Sequence, residues 1–83
     1  MVRSEYLDTR EERHVLKVGQ NGLVVWLDDG SVWDISAGDN TKSICWYGTM
    51  RIVVEEKGSG MYPFTLTNLD TAGPDVVRVS RRR

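Results

Sequence analysis

A chain of 83 residues, of which 40% are apolar and 28% charged, has the size and composition of one small globular domain. This composition argues against a disordered chain, and no apolar run is long enough to cross a membrane, so we expect no membrane partner. Cys45 is the single cysteine, which excludes an internal disulfide and, with the polar N-terminal sequence, predicts a cytoplasmic protein.

The net charge of −1 conceals an uneven distribution along the chain. Between residues 20 and 75 the acidic side chains outnumber the basic ones by eight to three, whereas four arginines lie among the last eight residues. We therefore expect an acidic body followed by a basic tail. Because such a body repels polyphosphates, nucleic acid is a disfavoured partner.

The chain divides into an N-terminal arm (residues 1–13), a single small β-barrel domain (residues 14–80) and a disordered basic tail (residues 81–83). The domain opens with two strand-like segments around Gln20-Asn21-Gly22, and Asn-Gly between such segments predicts a hairpin. A third strand, "SVWDIS", follows a second turn at Asp28-Asp29-Gly30.

A short helix is predicted over residues 37–47. Ser36 and Asp39 have the spacing of an N-terminal cap, and Gly48 suits the C-terminal end. The apolar residues of this helix, which we expect to plug one end of a sheet structure, are Ala37, Ile44 and Cys45.

The second half of the chain contains three more strand-like segments. Alternation in the first two and the apolar spacing in the last predict these inward residues: Met50, Ile52 and Val54; Tyr62, Phe64 and Leu66; Val77 and Val79. Pro63 suggests that the middle segment is an edge strand or carries a bulge. The fold prediction is an all-β, small SH3-like (or OB-like) barrel of five to six antiparallel strands, with one short helix after the third strand.

The conformation of the second turn decides where two tryptophans point. A two-residue turn would pair Trp26 with Trp33 and place Asp28 on their face. A type I turn followed by a left-handed Gly30 shifts the register by one residue and collects five apolar residues on a face without charge: Leu23, Val25, Leu27, Trp33 and Ile35. Because burying an unpaired aspartate is costly, we predict the second arrangement, with Trp33 in the core and Trp26 outward beside Val24 and Val32.

The stretch "LDDGSVWDIS", a helical segment ending in "CWYG" and the strand "MRIVVEE" together resemble a pattern in small bacterial SH3-like barrel proteins. Their hairpin has the form Leu-x-Asp-Gly-Ser-x-Trp-x-Val, and a second tryptophan closes the following helical segment. The resemblance covers roughly residues 23–56. It implies that Trp33 and Trp46 are fold residues, and it implies no catalytic site.

The sequence offers little for catalysis. His14 and Cys45 are the single histidine and cysteine, and a nucleophilic pair needs hydrogen-bond contact and usually a third orienting group. A core cysteine and a histidine at a strand start are the favoured interpretation. The aspartates at positions 28, 29, 34 and 39 lack the spacing of a calcium loop and suit turns and caps. We therefore predict no enzyme activity, no metal site and no cofactor.

The leading hypothesis is a non-catalytic protein-binding or adaptor module, one variant being a small inhibitor of a host protein. Its predicted contact surface is the outward face of the second and third strands. Trp26 and Val32 anchor this surface, and its polar rim consists of Asp28, Asp34, Tyr47 and Arg51.

Two alternatives remain open at this point. The domain could bind RNA or single-stranded DNA through its arginines and through stacking on Trp26 or Tyr47. It could also be a homo-oligomeric structural protein that pairs exposed strand edges. Apart from these, Tyr6 and Leu7 of the N-terminal arm could cover Trp26, which would remove the proposed surface.

Overall fold

The structure, a computed structural model, describes residues 11–82, and half of them lie in six short strands. The strands are β1 (Glu11–Gly19), β2 (Val24–Leu27), β3 (Val32–Ile35), β4 (Arg51–Glu56), β5 (Phe64–Asn68) and β6 (Asp75–Arg82). A 3-10 turn, Gln20–Gly22, joins β1 to β2, and one helical turn, α1 (Asn40–Ser43), follows β3. The α1 helix is thus the short helix that we predicted after the third strand.

The strands close into a barrel in the order β1-β2-β3-β6-β5-β4, and each neighbouring pair is antiparallel. This confirms the predicted small all-β barrel. Within residues 11–82 every strand has two neighbours, so the barrel has no complete edge strand of the kind that the homo-oligomer hypothesis requires. Pro63 immediately precedes β5 rather than marking an edge or a bulge within it.

Two strands extend beyond their predicted bounds. The β1 strand begins at Glu11, in the predicted arm, because residues 11–14 pair with residues 51–54 of β4. The β6 strand reaches Arg82, in the predicted disordered tail, because Arg81 and Arg82 pair with β3. The rest of the arm, including Tyr6 and Leu7, and Arg83 lie outside the described residues.

The β2–β3 hairpin has the predicted bulged turn. Gly30 has a φ of +89°, its N–H donates to the Leu27 carbonyl at 3.0 Å, and the Leu27 N–H donates to the Ser31 carbonyl at 3.0 Å. Val25 therefore lies opposite Trp33, and Trp26 lies opposite Val32 on the outer face. The predicted division of the tryptophans is confirmed, since Trp33 is 3% exposed and Trp26 points outward, half-buried.

The core fills the barrel with residues from all six strands and from the segment after α1. Its buried members are Val15, Val25, Leu27, Trp33, Ile35, Trp46, Met50, Ile52, Leu66, Val77 and Val79, with Val18, Val54 and Phe64 packed against them. The inward faces predicted for β4, β5 and β6 are confirmed, except that Tyr62 lies before β5 and is only half-buried.

A chain of hydrogen bonds connects the core to the hairpin turn. The Trp33 indole N–H donates to the Ser31 hydroxyl at 2.8 Å, and this hydroxyl donates to the Asp29 carboxylate. The Asp29 carboxylate also accepts the Ser31 N–H at 3.0 Å and Arg13 Nε at 2.9 Å. Partial burial opposes ionisation of Asp29, but these donors outweigh it and lower its pKa to about 2. The Asp-Gly-Ser-x-Trp sequence therefore satisfies the buried indole N–H.

The predicted helix over residues 37–47 was wrong in length. Helical geometry is confined to the single turn α1, and the side chain of Asp39 does not cap it. The Asp39 carboxylate instead accepts the N–H and Nε of Arg78 at 2.9 and 3.2 Å, which ties this segment to β6. Ala37, Ile44 and Cys45 were predicted to face the interior, but all three are exposed.

The interior of the helical segment is formed by Ser43 and Trp46. The Ser43 hydroxyl donates to the Gly22 carbonyl at 2.6 Å, so this polar side chain is buried with its hydrogen bond satisfied. Trp46 is 4% exposed, and its indole N–H donates to Asp75 at 3.2 Å. One helical turn cannot present an apolar stripe with helical periodicity, which is why the prediction for Ile44 and Cys45 failed.

Substituting the two hairpin tryptophans separately tests the division between core and surface. We expect Trp33→Ala to cost about 3 to 5 kcal/mol of unfolding free energy, because it empties the core position that packs edge-on against Phe64. We expect Trp26→Ala to cost much less, since its ring lies on the outer face. Urea unfolding measures both values, and an equal loss in the two variants would refute the division.

Candidate functional site

The six residues predicted from the sequence do not form one patch. Trp26, Val32 and Asp34 share the outer face of β2 and β3, where Trp26 lies directly opposite Val32. Val24, predicted to be part of the same apolar surface, is only 1% exposed and contributes nothing to it. Half-burial of Trp26 and Val32 leaves a small exposed apolar area on this face.

Asp28 and Arg51 both lie next to His14. The backbone N–H of His14 donates to Asp28 Oδ1 at 3.2 Å, and Nδ1 of the His14 imidazole lies 3.2 Å from Asp28 Oδ2. Arg51 is the register partner of His14 on β4 and forms an ion pair with Asp70 at 2.8 Å. The hydrogen bond between them lowers the pKa of Asp70 and raises that of Arg51. Arg51 is therefore already engaged within the chain.

Two of the three arginines of β6, Arg78 and Arg82, form ion pairs with aspartates of other segments. Arg82 Nε lies 3.3 Å from Asp34, and hydrogen bonding to this carboxylate raises the pKa of Arg82. Partial burial works against ionisation of Asp39, yet its hydrogen bonds with Arg78 lower its pKa overall. The acidic body and the basic C-terminal strand, which we expected to be separate, are thus joined by ion pairs.

A groove of about 510 Å³ lies between the second half of β1 and residues 44–48. Leu16, Ile44 and Tyr47 line it, with exposed fractions of 61%, 50% and 65%. Among residues 11–82 its lining consists of Leu16, Lys17, Val18, Gly19, Gln20, Asn21, Gly22, Ile44, Trp46, Tyr47 and Gly48. Tyr47 is the single member of the sequence-predicted site that belongs to this groove, which we call the β1 groove.

A β-bulge produces one wall of the β1 groove. Val15 pairs with Leu27, but the next residue to pair, Lys17, lies opposite Trp26, so Leu16 is an extra residue in β1. Val15 is 3% exposed and belongs to the core, whereas Leu16 and Lys17 are both exposed. The bulge thus places two successive residues, Leu16 and Lys17, on the exposed side of β1, where a regular strand would turn Lys17 inward.

The two ends of the β1 groove are closed by hydrogen bonds. At one end the Thr49 N–H donates to the Val15 carbonyl at 2.8 Å, and the Val15 N–H donates to the Met50 carbonyl at 2.9 Å. At the other end Asn40 Nδ2 donates to the Asn21 carbonyl at 3.0 Å, beside the buried Ser43 hydrogen bond. The segment from Asn40 to Met50 is therefore held against the Gln20–Gly22 turn at one end and against Val15 of β1 at the other.

The strained backbone of the described residues lies around the same groove. Three residues other than glycine have positive φ, namely Gln20 (52°), Asn21 (58°) and Thr49 (75°). Gln20 and Asn21 line the groove, and Thr49 follows the lining residue Gly48. Left-handed geometry costs an L-residue about 1 to 2 kcal/mol, and such strain is concentrated at functional sites.

Trp26 borders the β1 groove through Gly19. A β-carbon added to Gly19 would lie 3.0 Å from Trp26 Cζ3, so the indole rests directly on this glycine. The Lys17 ammonium lies 4.6 Å from the centre of the same ring, at a distance suited to a cation–π contact. Lys17 and Gly19 both line the groove, which makes the Trp26 face and the groove continuous.

Sequence reasoning missed Leu16 and Ile44 as functional candidates. A signal for Leu16 was present, because apolar residues at positions 15, 16 and 18 do not fit strict alternation and can indicate a bulge. No comparable signal existed for Ile44, whose exposure follows from the helix being one turn long.

Among residues 11–82 no group of three or more His, Cys, Asp and Glu side chains is arranged to hold a metal ion. None of the helical segments in this part of the chain has the length and apolar character needed to cross a membrane. No family model, curated protein or solved structure matches the chain.

The closed end of the β1 groove can be tested at Gly22. A β-carbon on Gly22 (φ +85°) would lie 2.6 Å from the Asn40 carbonyl oxygen and 2.7 Å from the Ile44 nitrogen, whereas one on Gly30 (φ +89°) would meet nothing within 4 Å. Gly30→Ala should cost about 1 to 2 kcal/mol from its positive φ alone. Because backbone overlap cannot be relieved by a rotamer change, we expect Gly22→Ala to cost at least about 2 kcal/mol more in urea unfolding. Equal costs would mean that α1 is not docked on the Gln20–Gly22 turn.

Proposed function

We propose that this protein is a non-catalytic protein-binding or adaptor module whose contact surface is the β1 groove together with the bordering Trp26. One observation carries the proposal: Leu16, Ile44 and Tyr47 expose large apolar side chains around a single groove. Exposed apolar side chains gathered at one concave surface are typical of protein contact sites. A single exposed apolar residue such as Met61 does not indicate a protein contact site.

The construction of the groove supports the same proposal. Leu16 is exposed at a β-bulge, and left-handed backbone geometry occurs at Gln20, Asn21 and Thr49. Neither feature improves the stability of the free domain, because the strain is unfavourable and Leu16 contributes little to the core. A binding partner that covers Leu16 and Tyr47 gives these features a function.

The contact surface that we propose differs from the one predicted from the sequence. The anchors of the proposed surface are Leu16, Ile44 and Tyr47, and this surface continues through Lys17 to Trp26. Val32 extends it along the outer face beside Trp26. The predicted rim residues Asp28, Asp34 and Arg51 are left out of the contact surface because each already has an ionic or hydrogen-bonded partner within the chain.

Ion pairing supports a protein partner over a nucleic acid. Arg51, Arg78 and Arg82 each contact an aspartate of the same chain, so binding phosphates would require breaking these pairs or adding anions beside them. The groove itself offers mainly apolar side chains. RNA or single-stranded DNA therefore ranks second.

Two further assignments belong to the proposal. We assign the barrel to the SH3-like class on its short strands and its Asp-Gly-Ser-x-Trp hairpin. We also assign the protein to the cytoplasm, because Cys45 is an exposed free thiol and reducing conditions prevent its oxidation to an intermolecular disulfide.

Affinity capture from the source cell tests the binding function. The bait proteins are the wild type, the double variant Leu16→Ser/Tyr47→Ser, and Met61→Ser as a control. Met61 is 78% exposed but lies outside the groove, so its substitution removes a comparable apolar surface elsewhere. Because truncating a central contact residue costs roughly 2 kcal/mol or more, we expect recovery of the partner to fall at least about tenfold for the double variant only.

Two results would contradict the binding function. Identical recovery with all three baits would show that the groove makes no contact. Loss of all captured proteins after nuclease treatment would show that nucleic acid mediates the association and would favour the second candidate.

A further inference from the structure

We propose that the β1 groove accepts an extended peptide segment of the partner protein, which adds to the barrel as a short strand beside residues 16–19. This inference rests on the proposed binding function and specifies how the partner is recognised. It predicts hydrogen bonding to the main chain of β1, apolar contacts with Leu16 and Tyr47, and an acidic side chain near Lys17.

The β1 strand loses one of its two neighbouring strands halfway along its length. Its partner β4 pairs with residues 11–14, and Thr49 and Met50 continue this contact only as far as Val15. On the other side, β2 pairs with Lys17, Val18 and Gly19. In the part of the chain that the structure describes, residues 17–19 therefore have a strand neighbour on one side only, and the bulged Leu16 pairs with neither strand.

The direction of the main-chain groups follows from the alternation of an antiparallel ladder. The Leu27 N–H bonds to Ser31 and the Leu23 carbonyl bonds to Ile35, so odd-numbered residues of this segment bond toward β3. Trp26 and Val24 then bond toward β1, where their register partners are Lys17 and Gly19.

Val18 lies between these two hydrogen-bonded pairs, and it must direct its N–H and C=O away from β2 and into the groove. A single residue that presents both groups can exchange two hydrogen bonds with one residue of an added strand. This is the main-chain chemistry by which extended peptides add to a sheet.

The dimensions fit a short extended segment. The opening runs along four residues of β1, from the Thr49 contact at Val15 to the turn beginning at Gln20. At roughly 3.3 Å per residue this is about 13 Å, the length of four residues in a strand. Alternate side chains of such a segment would face the exposed Leu16 and Tyr47, so apolar residues are expected at every second position.

Charge adds a further requirement. Lys17 is the one charged residue among the described residues that line the β1 groove. An acidic side chain in the peptide would complement it, and a basic one would be repelled. A helical ligand could cover Leu16 and Tyr47, but its own main chain is internally bonded and would leave the two groups of Val18 without partners.

The experiment uses the full chain and a random linear peptide library displayed on phage. The selected sequence is synthesised, and its Kd is measured with the wild type, Tyr47→Ser, Lys17→Glu and Met61→Ser. We expect alternating apolar residues with one acidic residue, at least about tenfold weaker binding to Tyr47→Ser and Lys17→Glu, and unchanged binding to Met61→Ser. Thermal midpoints establish that each variant is folded.

Two measurements on the bound state identify strand addition. The Val18 amide should exchange with solvent more slowly when the peptide is bound. N-methylation of single peptide residues should abolish binding at the residue opposite Val18 and be tolerated at its two neighbours, because the N–H groups of those neighbours point away from β1.

The possible results distinguish failure of strand addition from failure of the proposed binding function. Peptides that require Tyr47 but leave the Val18 amide unprotected, or tolerate N-methylation at every position, would overturn strand addition and leave the binding function standing. Recovery of no Tyr47-dependent peptide would also overturn strand addition, while captured partners that depend on Leu16 and Tyr47 would still support the function. A dimer seen by light scattering and lost in Tyr47→Ser would assign the groove to a second copy and overturn the partner peptide.

Discussion

The barrel depends on β1 pairing with two different strands at once. This strand has nine residues, whereas β2 has four and β4 has six, and only β1 joins these two. Its first half closes the barrel against β4, and its second half forms the hairpin with β2. The bulge at Leu16 lies at the change between the two, where the sheet twist increases and the helical segment takes the place of β4. The β1 groove is therefore a consequence of how the barrel closes.

The β2–β3 hairpin shows why part of this fold could be predicted from the sequence. One local choice, the conformation of the turn at Gly30, decides whether Trp33 shares its face with Asp28 or with uncharged residues only, and the cost of burying a carboxylate selects the second register. The sequence also predicted the inward valines of β6 and the apolar face of β4, because alternation is a local pattern. The hydrogen bonds from Trp33 through Ser31 to Asp29 then hold the selected register in place. The resemblance to SH3-like proteins over this stretch remains a prediction.

The remaining features could not be predicted because they depend on contacts distant in the sequence. Asp39 has the spacing of a cap, yet its carboxylate binds Arg78, which lies 39 positions away. Ser43 is buried only because the Gly22 carbonyl is positioned to accept its hydroxyl. The prediction of the candidate site was the least accurate, since five of its six residues lie outside the groove and only Tyr47 lines it. Trp26 enters the new surface through Gly19, a contact that no local pattern indicates.

Among residues 11–82, barrel closure leaves the main-chain groups of Val18 in β1 without a partner strand. Amide hydrogen exchange of the free protein, measured for each residue by NMR, tests whether this position is open. The Lys17 and Gly19 amides bond to β2 and should be protected, while the Val18 amide between them should exchange at close to the rate of an unstructured chain. Protection of Val18 equal to that of Lys17 and Gly19 would contradict the claim, because it would show that the position is already filled within the folded chain.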